Sequence, residues 1–430
     1  MSAAAIASAS PASHRRILFA SLVGTAVEFY DFYIYATAAA LVFPTLFFPS
    51  ANPELQVLAS YATFSVAFFA RPVGGILFGH FGDRMGRKTT LVASLMLMGI
   101  STVLIAFLPT YAMVGWVAPV LLCLLRFGQG LGLGGEWGGA SLLAVENAPP
   151  GWFYRYGGFP PMGAPVGFIA ANGFFLILGM ILSDDQFRDW GWRLPFLASA
   201  VLVGLGLWVR LKITETPDYL KAAEKAPPPK VPIGELLRDH LRPTIAGTIG
   251  AVACFALFYI STVFIIGYGT KTMGFDRETF LAVELVAILF MAAGIVVACT
   301  LADRWKAGGG GVLFIGFGAT MLAGLAMWVL IGSTLGSVFA WLVCGLFVMG
   351  LVYGPLGGWL PSLFPARVRY TGVSVTFNLA GIIGGGLTPL IAETLVKQGG
   401  IGLVGAYLAG AGLLSMVGLA LIGKASLRKA

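Results

Sequence analysis

The chain is built of apolar runs long enough to cross a bilayer, and little else. A span needs about 20 predominantly apolar residues. On that rule the sequence predicts helices at roughly 17–47, 57–80, 90–108, 114–146, 156–182 and 193–213. A second set falls at roughly 244–271, 279–301, 312–331, 336–362, 370–396 and 400–422. In hydrocarbon every backbone N–H and C=O must be satisfied within the protein, so runs of this length fold as helices. Charge is correspondingly scarce: 11% of residues, against about 25% in a soluble domain. The expectation is an all-α membrane protein of twelve transmembrane helices.

The single long polar segment, 214–243, contains "KAAEKAPPPK" and splits the runs six and six. The domain plan is therefore a tail at 1–16, a six-helix half at 17–213, a linker at 214–243, a second half at 244–422 and a tail at 423–430. Two similar halves are the hallmark of one large class of transporters. "GHFGDRMGRKTTL" (79–91) and "TLADRWKAGGGGVL" (300–313) follow the second and eighth runs and share a small residue before Asp-Arg at a turn. That internal echo supports a duplication.

The net charge of +8 goes into topology rather than nucleic-acid binding. With the N-terminus in the cytoplasm, twenty of the 27 lysines and arginines fall inside, five outside, and Arg71 and Arg126 within the membrane. Both termini are then cytoplasmic. The four cysteines lie in apolar runs and the three histidines are scattered, so neither a disulfide framework nor a metal site is expected. No nucleophile triad stands out, and an enzyme is not expected.

Acids inside these runs are costly and therefore informative. In "GTAVEFYDFYIYAT" (24–37), Gly24, Glu28, Asp31 and Tyr35 are spaced to share one helix face. On the fourth run Arg126, Gln129, Leu133 and Glu136 do the same. Arg71 lies deep in "FFARPVGG". Glu28, Asp31 and Glu136 against Arg71 and Arg126 leave one negative charge, which one proton would neutralise. Such groups should face one another or water. Arg71 reads either as a ligand for an anionic substrate, as a partner for Glu28, or as a packing residue beside Pro72. Glu284, near the start of its run, reads as interfacial and structural. Glu393 reads as a partner of Lys397 one turn on. In the second half Tyr259 and Asn378 are candidate substrate contacts, with Tyr268, Tyr353 and Trp359. Gly130, Gly134 and Gly138 suggest close helix packing. Gly384–Gly386 before Pro389 suggest a bend or break.

"GHFGDRMGRK" resembles the loop signature of the major facilitator superfamily. "EFYDFYIY" (28–35), "RFGQGLGLGGEWGGASLLAVENAP" (126–149), "WGWRLPF" (190–196), "FPARVRYTG" (364–372) and "GGGLTP" (384–389) resemble its metabolite:proton symporter family. That family includes shikimate, α-ketoglutarate and proline/betaine permeases. The resemblance covers nearly the whole chain. It implies alternating access by two rocking halves in a bacterial inner membrane, driven by the proton gradient with no other cofactor. The resemblance does not settle the substrate; the expectation is a small organic acid, carried by a monomer. A sugar-porter branch couples protons through an acid on helix 1 and an arginine on helix 4, positions held here by Asp31 and Arg126, with Glu28 a second candidate. Substrate binding then falls to Arg71, Arg126, Tyr35, Gln129, Tyr259 and Asn378. The family's cytoplasmic gate maps to Asp83, Arg84, Arg87 and Glu146.

The chain departs from the pattern at 149–163, at 305–311 ("WKAGGGG") and at Ser362, where an acid is usual. The expectation is that the second half has lost its copy of the gate. The rival readings are the same fold carrying betaine or proline, or a drug:proton antiporter. A sensor would need a signalling domain.

Overall fold

The computed structural model describes residues 11–50, 53–85, 87–211, 232–332 and 334–422. Those residues fold into twelve long helical segments. The first six are α1 (Pro11–Leu41), α2 (Pro53–Met85), α3 (Arg87–Ile105), α4 (Val117–Val145), α5 (Phe159–Ile181) and α6 (Arg193–Leu211). The second six are α7 (Leu241–Thr272), α8 (Arg277–Arg304), α9 (Gly308–Leu330), α10 (Leu335–Ser362), α11 (Arg369–Gly399) and α12 (Ile401–Ile422). No strand occurs among the described residues. The tail at 1–10, most of the linker (212–231) and the tail at 423–430 lie outside the described residues, as do the side chains of Asp83, Arg84 and Arg87.

Several ends differ from expectation for local reasons. The first run breaks at Val42, and Pro44 at the start of a new turn begins a short helix, Phe43–Phe47. The fifth run is preceded by a separate short helix, Phe153–Gly157. A π-helical turn at Phe187–Gly191 sets a 46° bend before α6. Two more π turns, Ile260–Phe264 and Tyr268–Thr272, lie in α7. The glycine run of α11 forms a fourth, Ile382–Gly386. The helix runs on through this turn as one span, Arg369–Gly399, rather than breaking at the glycines.

Packing repeats between the halves. On α4, a side chain at Gly134 would overlap the carbonyl of Arg71 on α2. On α10, one at Gly350 would overlap the carbonyl of Met291 on α8. Both pairs approach backbone to backbone, as helices in lipid do where small residues allow it. Within the linker, Pro232–Asp239 is a short helix whose Glu235 pairs with Arg367 at 3.2 Å.

Candidate functional site

The deep charges of the first half are buried by protein rather than turned to lipid. Asp31 is 1% exposed, and Arg126 and Glu136 are at 0%. Asp31 and Arg126 are not in direct contact, and no acid lies within ion-pair distance of Arg126 or Arg71 among the described residues. A relay joins them instead. Asp31 accepts hydrogen bonds from the hydroxyls of Ser199 on α6 and Thr102 on α3, the latter at 3.1 Å. Thr102 Oγ1 accepts from Gln129 Nε2 at 2.7 Å, and Gln129 Oε1 accepts from Arg126 Nη1 at 3.0 Å. The Arg126 guanidinium lies over the Tyr35 ring, 3.9 Å from its centroid. Tyr35 is held in turn by a 2.8 Å bond to Thr63. Nε and Nη2 of Arg126 have no hydrogen-bond partner. A buried guanidinium with idle donors is poised to receive an anion.

A cavity lies where the halves meet; Arg126 is not part of its wall, but the Arg126 guanidinium lies 5.0 Å from the ring of Phe32, which is. Its walls include Glu28, Phe29, Phe32 and Arg71 from one half, and Phe255, Phe258, Tyr259 and Tyr353 from the other. Its free space is about 20 Å³, little more than a water needs. The Arg71 guanidinium sits 4.4 Å from the Phe68 ring and 4.9 Å from Phe32, with Nε unpartnered. The Tyr259 hydroxyl faces it.

Of the expected substrate contacts, Arg71 and Tyr259 line this cavity together with Glu28. Tyr35 and Gln129 instead support Arg126. Asn378 ties the halves together, donating to the carbonyl of Gly134 at 2.7 Å. Glu136 turns to α3, where Ser94 donates to it at 3.0 Å. Glu393 pairs with Lys397 at 3.7 Å.

Both ends of the cavity are closed. Toward the end bearing most of the basic residues, the Trp137 indole stacks on Phe377 at 3.6 Å and donates to Tyr353 at 3.0 Å. Beyond it, Tyr370 donates to the Gly135 carbonyl at 2.6 Å, and Glu146 pairs with Arg369 at 3.3 Å across the halves. At the opposite end Ser65 donates to the Gly386 carbonyl at 2.5 Å and Lys271 to that of Ala40 at 2.7 Å. The molecule is therefore occluded.

The ion pair expected to be lost is absent from the described residues, Ser362 standing where an acid is usual, but the second half makes another tie across the halves. Asp303 accepts from the backbone amides of Tyr154 and Arg155 at 2.8 and 3.0 Å and from Arg155 Nε at 2.7 Å. It thereby caps the start of the short helix Phe153–Gly157. The departing segments meet here: a side chain at Gly309 or Gly358 would strike Tyr154, and one at Gly357 would strike the Gly157 backbone. Aromatic bulk in 149–163 fills space left by glycines in 305–311 and α10. Glu284 lies near the start of α8, as expected, but is enclosed by protein. It is 0% exposed, with neither carboxylate oxygen hydrogen-bonded. Thr102, Ser199, Arg155, Asp303 and Arg369 escaped the sequence reading. Of these, Asp303 carried a signal, the Asp-Arg echo.

Twelve helices around a closed central cavity, with buried charges and cross-half ties at both ends, define a secondary transporter. The family model of the Major Facilitator Superfamily matches residues 21–389, and the chain belongs to that family. It is 49% identical to the inner membrane metabolite transport protein YhjE of Escherichia coli, over 95% of this chain and 94% of that one. It is 36% identical to the shikimate transporter of Escherichia coli, over 89% and 88%. Its fold matches the proton:xylose symporter XylE with a TM-score of 0.72, at 14% identity and over 94% and 95% of the two chains. The protein is a multi-pass membrane transporter of small metabolites and not an enzyme.

Proposed function

We propose that the protein is a proton-coupled symporter that imports a small organic acid across the bacterial inner membrane, working as a monomer with both termini in the cytoplasm. The observation that carries this reading is the relay Asp31–Thr102–Gln129–Arg126, which ends in idle guanidinium donors 5.0 Å from the ring of Phe32, a residue of the cavity wall. Asp31 is the proton carrier. Its charge reaches Arg126 through two hydrogen-bonded side chains, so protonation reorganises the relay and frees Arg126 for the substrate carboxylate. Arg71 and Tyr259 hold the substrate from the cavity wall. The cost of a net buried charge ties loading of proton and anion to closure. Glu146, with Asp83, Arg84 and Arg87, forms the cytoplasmic gate.

A second reading has its own support. The cavity pairs one acid, Glu28, and one arginine with a wall of aromatic rings. Aromatic walls suit a quaternary ammonium, and the acid–base pair suits a zwitterion such as betaine. Uptake into proteoliposomes separates the two. Shikimate and other carboxylates are compared with betaine and proline, with and without an inward proton gradient. Gradient-driven accumulation of a carboxylate is the expected result. Accumulation of betaine alone would replace the first reading with the second. Uptake indifferent to the gradient would remove proton coupling.

A further inference from the structure

The proton-coupling reading places its acids in the first half, yet the most isolated buried acid lies in the second. Glu284 of α8 is at 0% exposure, and neither of its oxygens has a hydrogen-bond partner. Two other buried polar groups without hydrogen-bond partners lie in the first half near its level. Tyr33 of α1 is at 0% exposure, its hydroxyl lacks a partner, and it stands within electrostatic reach of Tyr259 and Tyr353, and less strongly of Glu284. The Tyr33 ring packs edge-on to Phe168 of α5 at 4.8 Å. One turn beyond Phe168 is Asn172, at 0% exposure, whose Oδ1 accepts from Thr37 at 2.5 Å while Nδ2 lacks a partner. Helices α5 and α8 run antiparallel, with Gly179 against Glu278 and Gly158 against Cys299. Counting along the helices between those contacts sets Asn172 level with Glu284.

Among the described residues no cation is within ion-pair distance of Glu284. Helices α5 and α9, both packed on α8, carry no ionisable residue. On α10, Cys344 is exposed and Tyr353 lines the central cavity. In the turn at the end of α7, Tyr268 stacks on Phe264, and Lys271 donates to the Ala40 carbonyl and neighbours Glu393. On α8 itself Arg277 pairs with Glu278 at 2.6 Å and with Asp184 at 3.4 Å. Tyr154 and Arg155 meet α8 at its far end, on Asp303.

We propose that Glu284, with Asn172 and Tyr33, is a second proton site, which makes closure of the outer side depend on protonation. The proposal rests on the orientation given above, which turns this end of the α5–α8 seam outward. An ionised carboxylate taken from water into a dry seam without donors loses its hydration and gains nothing in exchange. A neutral acid can enter. Opening outward parts α5 from α8 and breaks the Arg277–Asp184 pair at the rim, so water reaches Glu284 and its proton exchanges with the outside. Closure then carries a proton in. The charge count agrees: Glu28, Asp31, Glu136 and Glu284 against Arg71 and Arg126 leave two negative charges among the described buried residues, so two protons neutralise the set.

The test needs no substrate, so a failed uptake panel would leave it intact. Spin labels replace Asp185 and Thr272, which flank the seam, on a background with the native cysteines changed to serine. Double electron–electron resonance follows their separation against pH, in wild type and in the Asp31→Asn background that silences the first site. The outward-open population should rise with pH in both. Adding Glu284→Gln should make it independent of pH and hold the seam closed. Persistence of the pH response in the Asp31→Asn/Glu284→Gln protein overturns the proposal, as does its absence in the Asp31→Asn protein. If the glutamine variants fail to assemble, infrared spectra decide. Unsubstituted protein at neutral pH should show a carboxylic-acid band that Glu284→Asp shifts, and a band that does not move overturns the proposal.

Discussion

At the scale of single residues, the proposed coupling site is a carboxylate and a guanidinium joined through two polar side chains. Asp31→Asn keeps the shape, turns one acceptor into a donor as protonation would, and removes the change of charge. Exchange of labelled for unlabelled substrate should survive, and proton-driven accumulation should vanish. Full accumulation by that variant would move the role to Glu28. Thr102→Val tests the relay itself. It removes one donor to Asp31 and the acceptor for Gln129, each loss worth about 1–3 kcal/mol when the stranded group is buried. Accumulation in proteoliposomes should therefore slow about tenfold or more, with exchange less affected. An unchanged rate would mean that Asp31 and Arg126 work independently. Asp31 and Arg126 were legible because each interrupts an apolar run. Thr102 and Ser199 were not, because hydroxyl residues are common in such helices and turn toward lipid, backbone or a partner with no trace in spacing.

At the scale of elements, two contacts decide how the helices sit. Gly134 is where α4 touches the backbone of α2. Gly134→Ala forces the helices apart and should lower stability by about 1–3 kcal/mol. Thermal unfolding in detergent would show this as a lower midpoint, and an unchanged midpoint would mean the contact is loose. The second contact is the Asp303 cap on Phe153–Gly157. Asp303→Asn keeps the shape and weakens charge-assisted bonds worth about 1.5–3 kcal/mol. The open population at the basic end should rise about tenfold or more, read as longer label distances between α4–α5 and α8–α9. Distances that stay put would make the cap a packing feature only. The departures at 149–163 and 305–311 looked unrelated along the chain, more than a hundred residues apart. Together they are one joint, with Tyr154 seated on Gly309 and Gly358.

At the scale of the whole molecule, the ties at both ends fix an occluded state, and the balance between them sets which side opens. Glu146→Gln removes the Arg369 pair and should bias the molecule toward opening at the basic end. Its combination with Asp303→Asn should do so more than either change. Orientation is checked independently. A cysteine at Asp239 should be shielded from an impermeant thiol reagent in intact cells, and one at Asp185 should be labelled. The reverse pattern would invert the topology and, with it, the direction in which the Glu284 seam opens.

The amino-acid sequence by itself determined the solvent, the helix number and the presence of ionisable groups where they are costly. These follow from composition and run length, because a backbone in lipid has so few ways to satisfy itself. Only the tertiary structure decided what each buried charge meets. Depth along a helix says how far a residue lies from an end, and nothing about which neighbour covers its face. Glu284 lies near the start of its helix, which packs on α5 of the other half, more than a hundred residues away along the chain. Asp303 finds its partners on a short helix in the other half. Contacts between distant segments depend on how whole faces pack, and that is set by all of the helices together.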